Sequence, residues 1–199
     1  MQIATFWQRF GAFWLDVLCL FPLSGLSIWL GSESRLFQLY FFLPGLAIGL
    51  WFHVYLVRRY GGTPGKLLLR LQIVKLDGTP VDYRQAFLRY VVMFALSAAG
   101  SVALIISTFQ MTDAEYLSLD WRERSLRLDE LAPSWYGTVK VMSDVWIWSE
   151  FLTMLTNESR RALHDFIAGT VVIRRASVPP SVKVVVAPSE TRTEGRQLL

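Results

Sequence analysis

Residues 36–57 run for 22 positions without a single Lys, Arg, Asp or Glu, and residues 90–109 do the same for 20. A helix rises 1.5 Å per residue, so about 20 residues span roughly 30 Å, the thickness of a hydrocarbon core; blocks of this length make lipid the solvent. A further block, 10–30, carries one charge, Asp16, and another, 135–156, carries Lys140, Asp144 and Glu150. In this last block Val141, Val145, Trp148, Leu152 and Leu155 recur at spacings of four and three, one apolar face that predicts a span packed inside a bundle. Composition agrees: 53% of the 199 residues are hydrophobic and 18% charged, which excludes a disordered chain and argues against an ordinary soluble domain. The first block is too long, and too interrupted by its aspartate, for a cleaved signal peptide.

The basic residues fix a topology. Arg9, seven residues between the second and third blocks and seven after the fourth make 15 on one side; Arg35, Arg122, Arg124 and Arg127 make four on the other. This asymmetry predicts four spans with both termini cytoplasmic, Trp7 near the inner interface, and Trp29 and Trp135 near the outer one. The exported loop, 110–134, carries six acids against three arginines. Residues 116–131 read as a solvated loop on the membrane face, in preference to an amphipathic helix with Leu117, Trp121, Leu128 and Leu131 inward.

The cytoplasmic pieces carry turn and strand signals. Gly61-Gly62-Thr63-Pro64-Gly65-Lys66 is turn chemistry, residues 69–76 alternate as a strand, and Asp77-Gly78-Thr79-Pro80 turns the chain again. Asp82 stands where a helix N-cap belongs. Residues 161–168 can be helical, Gly169 stops them, and the β-branched run 170–173 is expected to pair with the first strand. Together these predict a small cytoplasmic cap on an all-α integral membrane protein. Residues 176–199, with Pro179-Pro180 and scattered charge, read as a disordered tail.

Several chemistries are set aside. Cys19 is the single cysteine, so neither an intrachain disulfide nor a cysteine metal site is possible. A phosphate loop at 61–66 fails on spacing, because its first glycine falls at Tyr60 and its magnesium hydroxyl at Leu67. No nucleophile–base pair appears, so an enzyme is not expected, nor a cofactor. The excess of basic residues belongs to topology and not to nucleic acid. Gly45 with Gly49, and residues 97–101, are small-residue stretches that let helices approach closely.

Three segments read together are more specific: Arg9 with Asp16 on the first helix, the run from Gly61 through Gly62, Gly65 and Lys66 to Val74, and His164-Asp165-Phe166-Ile167-Ala168-Gly169 near the end. In this order the chain resembles the RDD family of small bacterial integral membrane proteins, named for one arginine and two aspartates, here Arg9, Asp16 and Asp165. The resemblance covers residues 5–175 and departs from the simpler pattern in its long exported loop and polar last span. It implies a multi-pass protein of the bacterial inner membrane, often suspected of transport, with no settled common substrate.

Asp16 lies about 9 Å inside its span, where an ionised group is costly without a partner. Arg9, two turns earlier on the same face, either leans toward that carboxylate or snorkels outward. Asp165 is expected outside the bilayer, capping its turn or pairing with a basic residue of the glycine loop. His164 reads as surface, and His53 as packing or as part of a site. Counting depth from the cytoplasmic ends places His53 about 6 Å and Glu150 about 9 Å in, level with Asp16. The expectation is convergence of Asp16, His53 and Glu150 on the bundle interior with Arg9 at the entrance, Asp144 one step further out and Lys140 beyond it. Two readings follow: transport of a proton, cation or small solute through an oligomer, or a membrane-embedded assembly subunit that meets protein partners.

Overall fold

The structure, a computed structural model, describes residues 2–175; the tail predicted for 176–199 lies outside them. Helix α1 is Phe6–Glu33, started by a capping box in which Thr5 and Gln8 satisfy one another's amides. Helix α2, Phe37–Leu50, runs into a π-helical turn, Trp51–Tyr55, and on into α3, Leu56–Tyr60. Gly61 ends this rod at φ 83°, a left-handed conformation that glycine adopts without strain. Helix α4, Pro64–Leu68, then carries the chain to strand β1, Leu71–Lys75. Helix α5, Tyr83–Phe109, starts at Asp82, whose carboxylate accepts from the Gln85 amide, as the sequence predicts.

Helices α6, Asp113–Ser118, and α7, Trp121–Glu130, follow, and correct the solvated loop expected over 116–131. Thr112 caps α6, and Asp120 with Glu123 forms a reciprocal box on α7, so both ends are chemically specified. Of the side expected inward, Leu117 and Trp121 are exposed, while Leu128 and Leu131 are half-buried, with Arg124 beside them. Helix α8, Tyr136–Thr156, helix α9, Leu163–Ala168, and strand β2, Thr170–Arg174, complete the described residues.

Three helical stretches are long and apolar enough to cross a membrane: Phe6–Glu33, Phe37–Leu68 and Tyr83–Phe109. Helix α8 has the length but carries three charges. Its apolar stripe faces outward and not into the bundle: Val141, Val145, Trp148, Leu152 and Leu155 are all more than 60% exposed. Trp146, Ile147, Glu150 and Phe151 turn inward instead. Periodicity marks a face without saying whether that face turns inward or outward.

Strands β1 and β2 pair antiparallel, with Leu71 opposite Arg174 and Lys75 opposite Thr170. Leu69, expected at the head of the strand, instead follows α4 as its C-cap. The N-terminal segment adds an edge to β2, the Ala4 amide donating to the Val172 carbonyl at 3.0 Å and the Arg174 amide to Gln2 at 2.8 Å. Around this sheet lies the packed core: Ala4, Ala12, Val57, Leu71, Ile73, Val81, Ala86 and Val172. The helices beyond it bury little and present apolar side chains such as Leu18, Phe21 and Leu43 outward.

Candidate functional site

At the junction of sheet and helices, Asp165 is fully buried. Its Oδ2 accepts from the Ala162 amide at 3.0 Å, capping α9, and from Arg9 Nη2 at 2.5 Å. Its Oδ1 accepts from Arg89 and from Thr170 Oγ1. Burial alone would raise this carboxyl, but Arg89 and then Arg9 hold it well below the usual carboxylate range. Arg9 also donates to the Arg160 carbonyl at 2.5 Å, and Arg161 Nη2 to the Asp165 carbonyl at 2.8 Å. Arg9 therefore pairs with Asp165, not with Asp16, and Asp165 meets no basic residue of the glycine loop.

The glycine loop is read by Asp16. Its Oδ1 accepts from the Gly65 amide at 2.7 Å and its Oδ2 from Thr63 Oγ1 at 2.6 Å. Lys66 Nζ lies 3.7 Å from Oδ2 and donates to Thr63 Oγ1 at 3.2 Å. A carboxylate of α1 thus serves one orphan amide, that of Gly65, at the start of α4. The approach requires Gly65: a Cβ there would overlap the Ala12 carbonyl and sit 2.8 Å from the Asp16 amide nitrogen. Gly62 lies against Lys66, where an added Cβ would stand 3.3 Å from the lysine Cβ.

Between α1, the π-helical turn, α5 and α8 lies a cavity of about 320 Å³. Arg9, Asp16, His53 and Glu150 all border it, together with Lys66, Arg89 and His164. The His53 ring stacks on Tyr90, centroids 4.5 Å apart, and the Tyr90 hydroxyl closes over Gly49. His164 is not a surface residue. Arg89 Nη2 reaches its Nε2 at 2.7 Å, and a guanidinium can only donate, so Nε2 accepts and the proton sits on Nδ1, beside Glu150 Oε2. Burial first, and Arg89 second, lower this imidazole below its ordinary value, in keeping with a neutral ring. Glu150 Oε1 accepts from the His164 amide at 3.2 Å, and the buried Oε2 faces the protonated Nδ1 of the same residue, so His164 holds both oxygens.

Asp144 and Lys140 do not line the cavity. Asp144 is exposed, and Lys140 pairs at 2.5 Å with Asp129 of α7, so the outward continuation expected of them is absent from this arrangement. Sequence reasoning passed over Arg89, which stood among seven basic loop residues although it directly precedes the third apolar block. Tyr90, Thr63 and Thr170 carried no signal of their own. Among the described residues no three His, Cys, Asp or Glu side chains are grouped to hold a metal ion.

This geometry defines a helical membrane protein whose ends are knotted into a small sheet by buried arginine–aspartate pairs. The sequence profile of the RDD family matches residues 3–169, and the chain belongs to that family. Neither the curated proteins nor the solved structures contain a match to it.

Proposed function

We propose that this chain is a four-span protein of the bacterial inner membrane that transports a proton, cation or small solute as an oligomer. The observation that supports transport is the cavity, where ionisable groups from α1, α4, α5 and α8 meet inside an otherwise apolar bundle. Ionisable side chains at membrane depth are rare and by default mark a functional site. The outward apolar face of α8 supports its assignment as the fourth span, and the 15-to-4 distribution of basic residues supports cytoplasmic termini. Four helices enclose little space, which is why an oligomer belongs to the proposal.

The test is flux through purified protein in liposomes, with proton and alkali-cation gradients and labelled solutes, comparing wild type with Glu150→Gln. Flux that Glu150→Gln abolishes in a protein of normal melting temperature supports transport. A reporter fused at residue 120 is expected on the exported side; a cytoplasmic signal there would reverse the topology.

A second reading has its own support. Asp16 and Asp165 are engaged on every oxygen by their own chain, as a structural clasp would require. An assembly or accessory subunit then predicts co-purifying partners and no intrinsic flux.

A further inference from the structure

We infer that a second cavity, beneath α7, binds a hydroxylated phosphodiester, its anion held by Arg124 and its hydroxyls by Ser97, Ser101 and Gln38. The site lies apart from the cavity assigned to transport and does not rest on that reading; Tyr90 borders both.

This cavity, of about 560 Å³, lies between α1, α2, α5 and α7 at the end of the bundle away from the sheet, and falls within the roughly 300–1,000 Å³ of ligand pockets. Among the described residues Arg124 is the only charged group that lines it. Its Nε donates to the Tyr116 carbonyl at 3.0 Å and its Nη2 to the Leu119 carbonyl at 2.8 Å, while the guanidinium lies over the Tyr116 ring, 4.5 Å from the centroid. The group is thereby fixed, with Nη1 unbonded among the described residues. The acids of the surrounding segment are engaged elsewhere: Asp113 with Arg35, Glu115 and Glu130 with Arg127, Asp129 with Lys140, and Asp120 and Glu123 with one another's amides. Arg124 keeps a half-buried charge without an acid beside it. Such a charge is costly until an anion joins it, and the guanidinium fork matches phosphate geometry.

The deeper walls decide what the anion carries. Ser107 of α5 returns its hydroxyl to the Ala103 carbonyl, whereas Ser97 and Ser101, one turn apart on the face that lines the cavity, make no side-chain hydrogen bond among the described residues. Nor does the amide of Gln38, which borders the same cavity from α2. Hydroxyls and a primary amide both donate and accept, so they suit the hydroxyls of a ligand. The Phe37 and Phe41 rings, stacked with centroids 5.2 Å apart, offer apolar walls to its C–H groups. A phosphodiester carries a single negative charge and so matches the single guanidinium, where a monoester would bring about −1.5 to −2.

Two sources offer this chemistry: the glycerol headgroup of a phosphatidylglycerol, or the same glycerophosphodiester free in solution. The test is calorimetric titration of the purified full chain in neutral detergent with four probes. Short-chain phosphatidylglycerol and glycerophosphoglycerol carry anion and hydroxyls together; short-chain phosphatidylmethanol has the anion without hydroxyls, and glycerol the hydroxyls without the anion. At least one of the first two is expected to bind about ten-fold more tightly than either control. Binding by the lipid but not by the free diester assigns the headgroup as the source; the free diester binding at least as tightly as the lipid assigns the soluble one. Ser97→Ala combined with Ser101→Ala, which a helix tolerates, is expected to bring the hydroxylated probe down to the affinity of phosphatidylmethanol at an unchanged melting temperature. Arg124→Gln is expected to weaken both lipids about ten-fold. Because Arg124 also ties α6 to α7, the serine pair decides if that variant misfolds. Phosphatidylmethanol binding as tightly as both hydroxylated probes, neither hydroxylated probe binding the wild type, or full affinity in the serine pair overturns the inference.

Discussion

Arg9 and Asp165 meet at 2.5 Å across 156 residues of sequence, both side chains almost fully buried. The contact ties the entrance of the first helix to the helix that precedes the last strand, so it closes the cap as a ring. Removing one partner leaves the other charged and unpaired in the interior. Asp165→Asn is expected to destabilise the protein by about 3–5 kcal/mol, with two guanidiniums stranded. Arg9→Met should cost less, because Arg89 still holds the carboxylate. Thermal melts of the detergent-purified variants check the order; equal losses would show that Arg9 and Arg89 do not share Asp165.

Acid should weaken the same junction in two stages. His164 has a folded value below its ordinary 6.5, so the unfolded chain binds the extra proton and stability falls as pH drops below that value. Asp165, held well below its ordinary 3.8, contributes stability that is present above 3.8 and is lost only as pH falls further, through its depressed folded value. The first stage should disappear in His164→Asn, and the second should remain. Melting temperatures between pH 8 and pH 3 measure both, and a first stage unchanged in the variant would remove His164 as its source.

What the sequence made legible was local. Asp82 as a cap, Gly169 as a stop and the pairing of the two short strands all depend on residues near one another or on an alternation visible in a few positions. Asp16 announced itself because a carboxylate in an apolar block is conspicuous. Its partner did not, since a glycine amide 49 residues away carries no signal until the chain is folded. Arg89 stayed hidden because a basic residue at a span's edge reads as a topology marker. The face of α8 was inverted because periodicity identifies a stripe without saying whether protein or lipid lies against it. A helix over 116–131 was the lesser of two readings, although Asp120 and Glu123 have the spacing of the capping box that starts α7.

Gly65 provides a sharp steric test. A Cβ at this position meets the backbone of α1, which cannot yield as a flexible side chain would. Gly65→Ala should push α4 off α1, break the Asp16 bonds and destabilise by about 3 kcal/mol or more, the upper range for overpacking combined with lost charge-assisted bonds. Gly100→Ala on α5 has open space around it and should be neutral or stabilising by about 0.5–1 kcal/mol through helix propensity. Expression level and melting temperature of the pair are the readout; similar behaviour of the two variants would contradict the close approach.

On the opposite side of the bundle, Arg35 fastens α6 to the end of α5. Its Nη1 donates to the Met111 carbonyl at 2.5 Å and the Thr108 carbonyl at 3.2 Å, and its Nε to Asp113 Oδ1 at 2.5 Å. A guanidinium at a helix C-terminus satisfies carbonyls that have no intrahelical partner and lies favourably in the helix dipole. Asp113 is largely exposed, so its ion pair is screened and contributes little. The carbonyl bonds carry the effect. Arg35→Ala should therefore loosen the α6–α7 segment by about 1.5–3 kcal/mol, the range for hydrogen bonds from charged donors, while Asp113→Asn should stay within about 0.5 kcal/mol. Limited proteolysis between α6 and α7 reports the local opening: faster cleavage in Arg35→Ala and an unchanged rate in Asp113→Asn are expected, and the reverse order would assign the fastening to the ion pair.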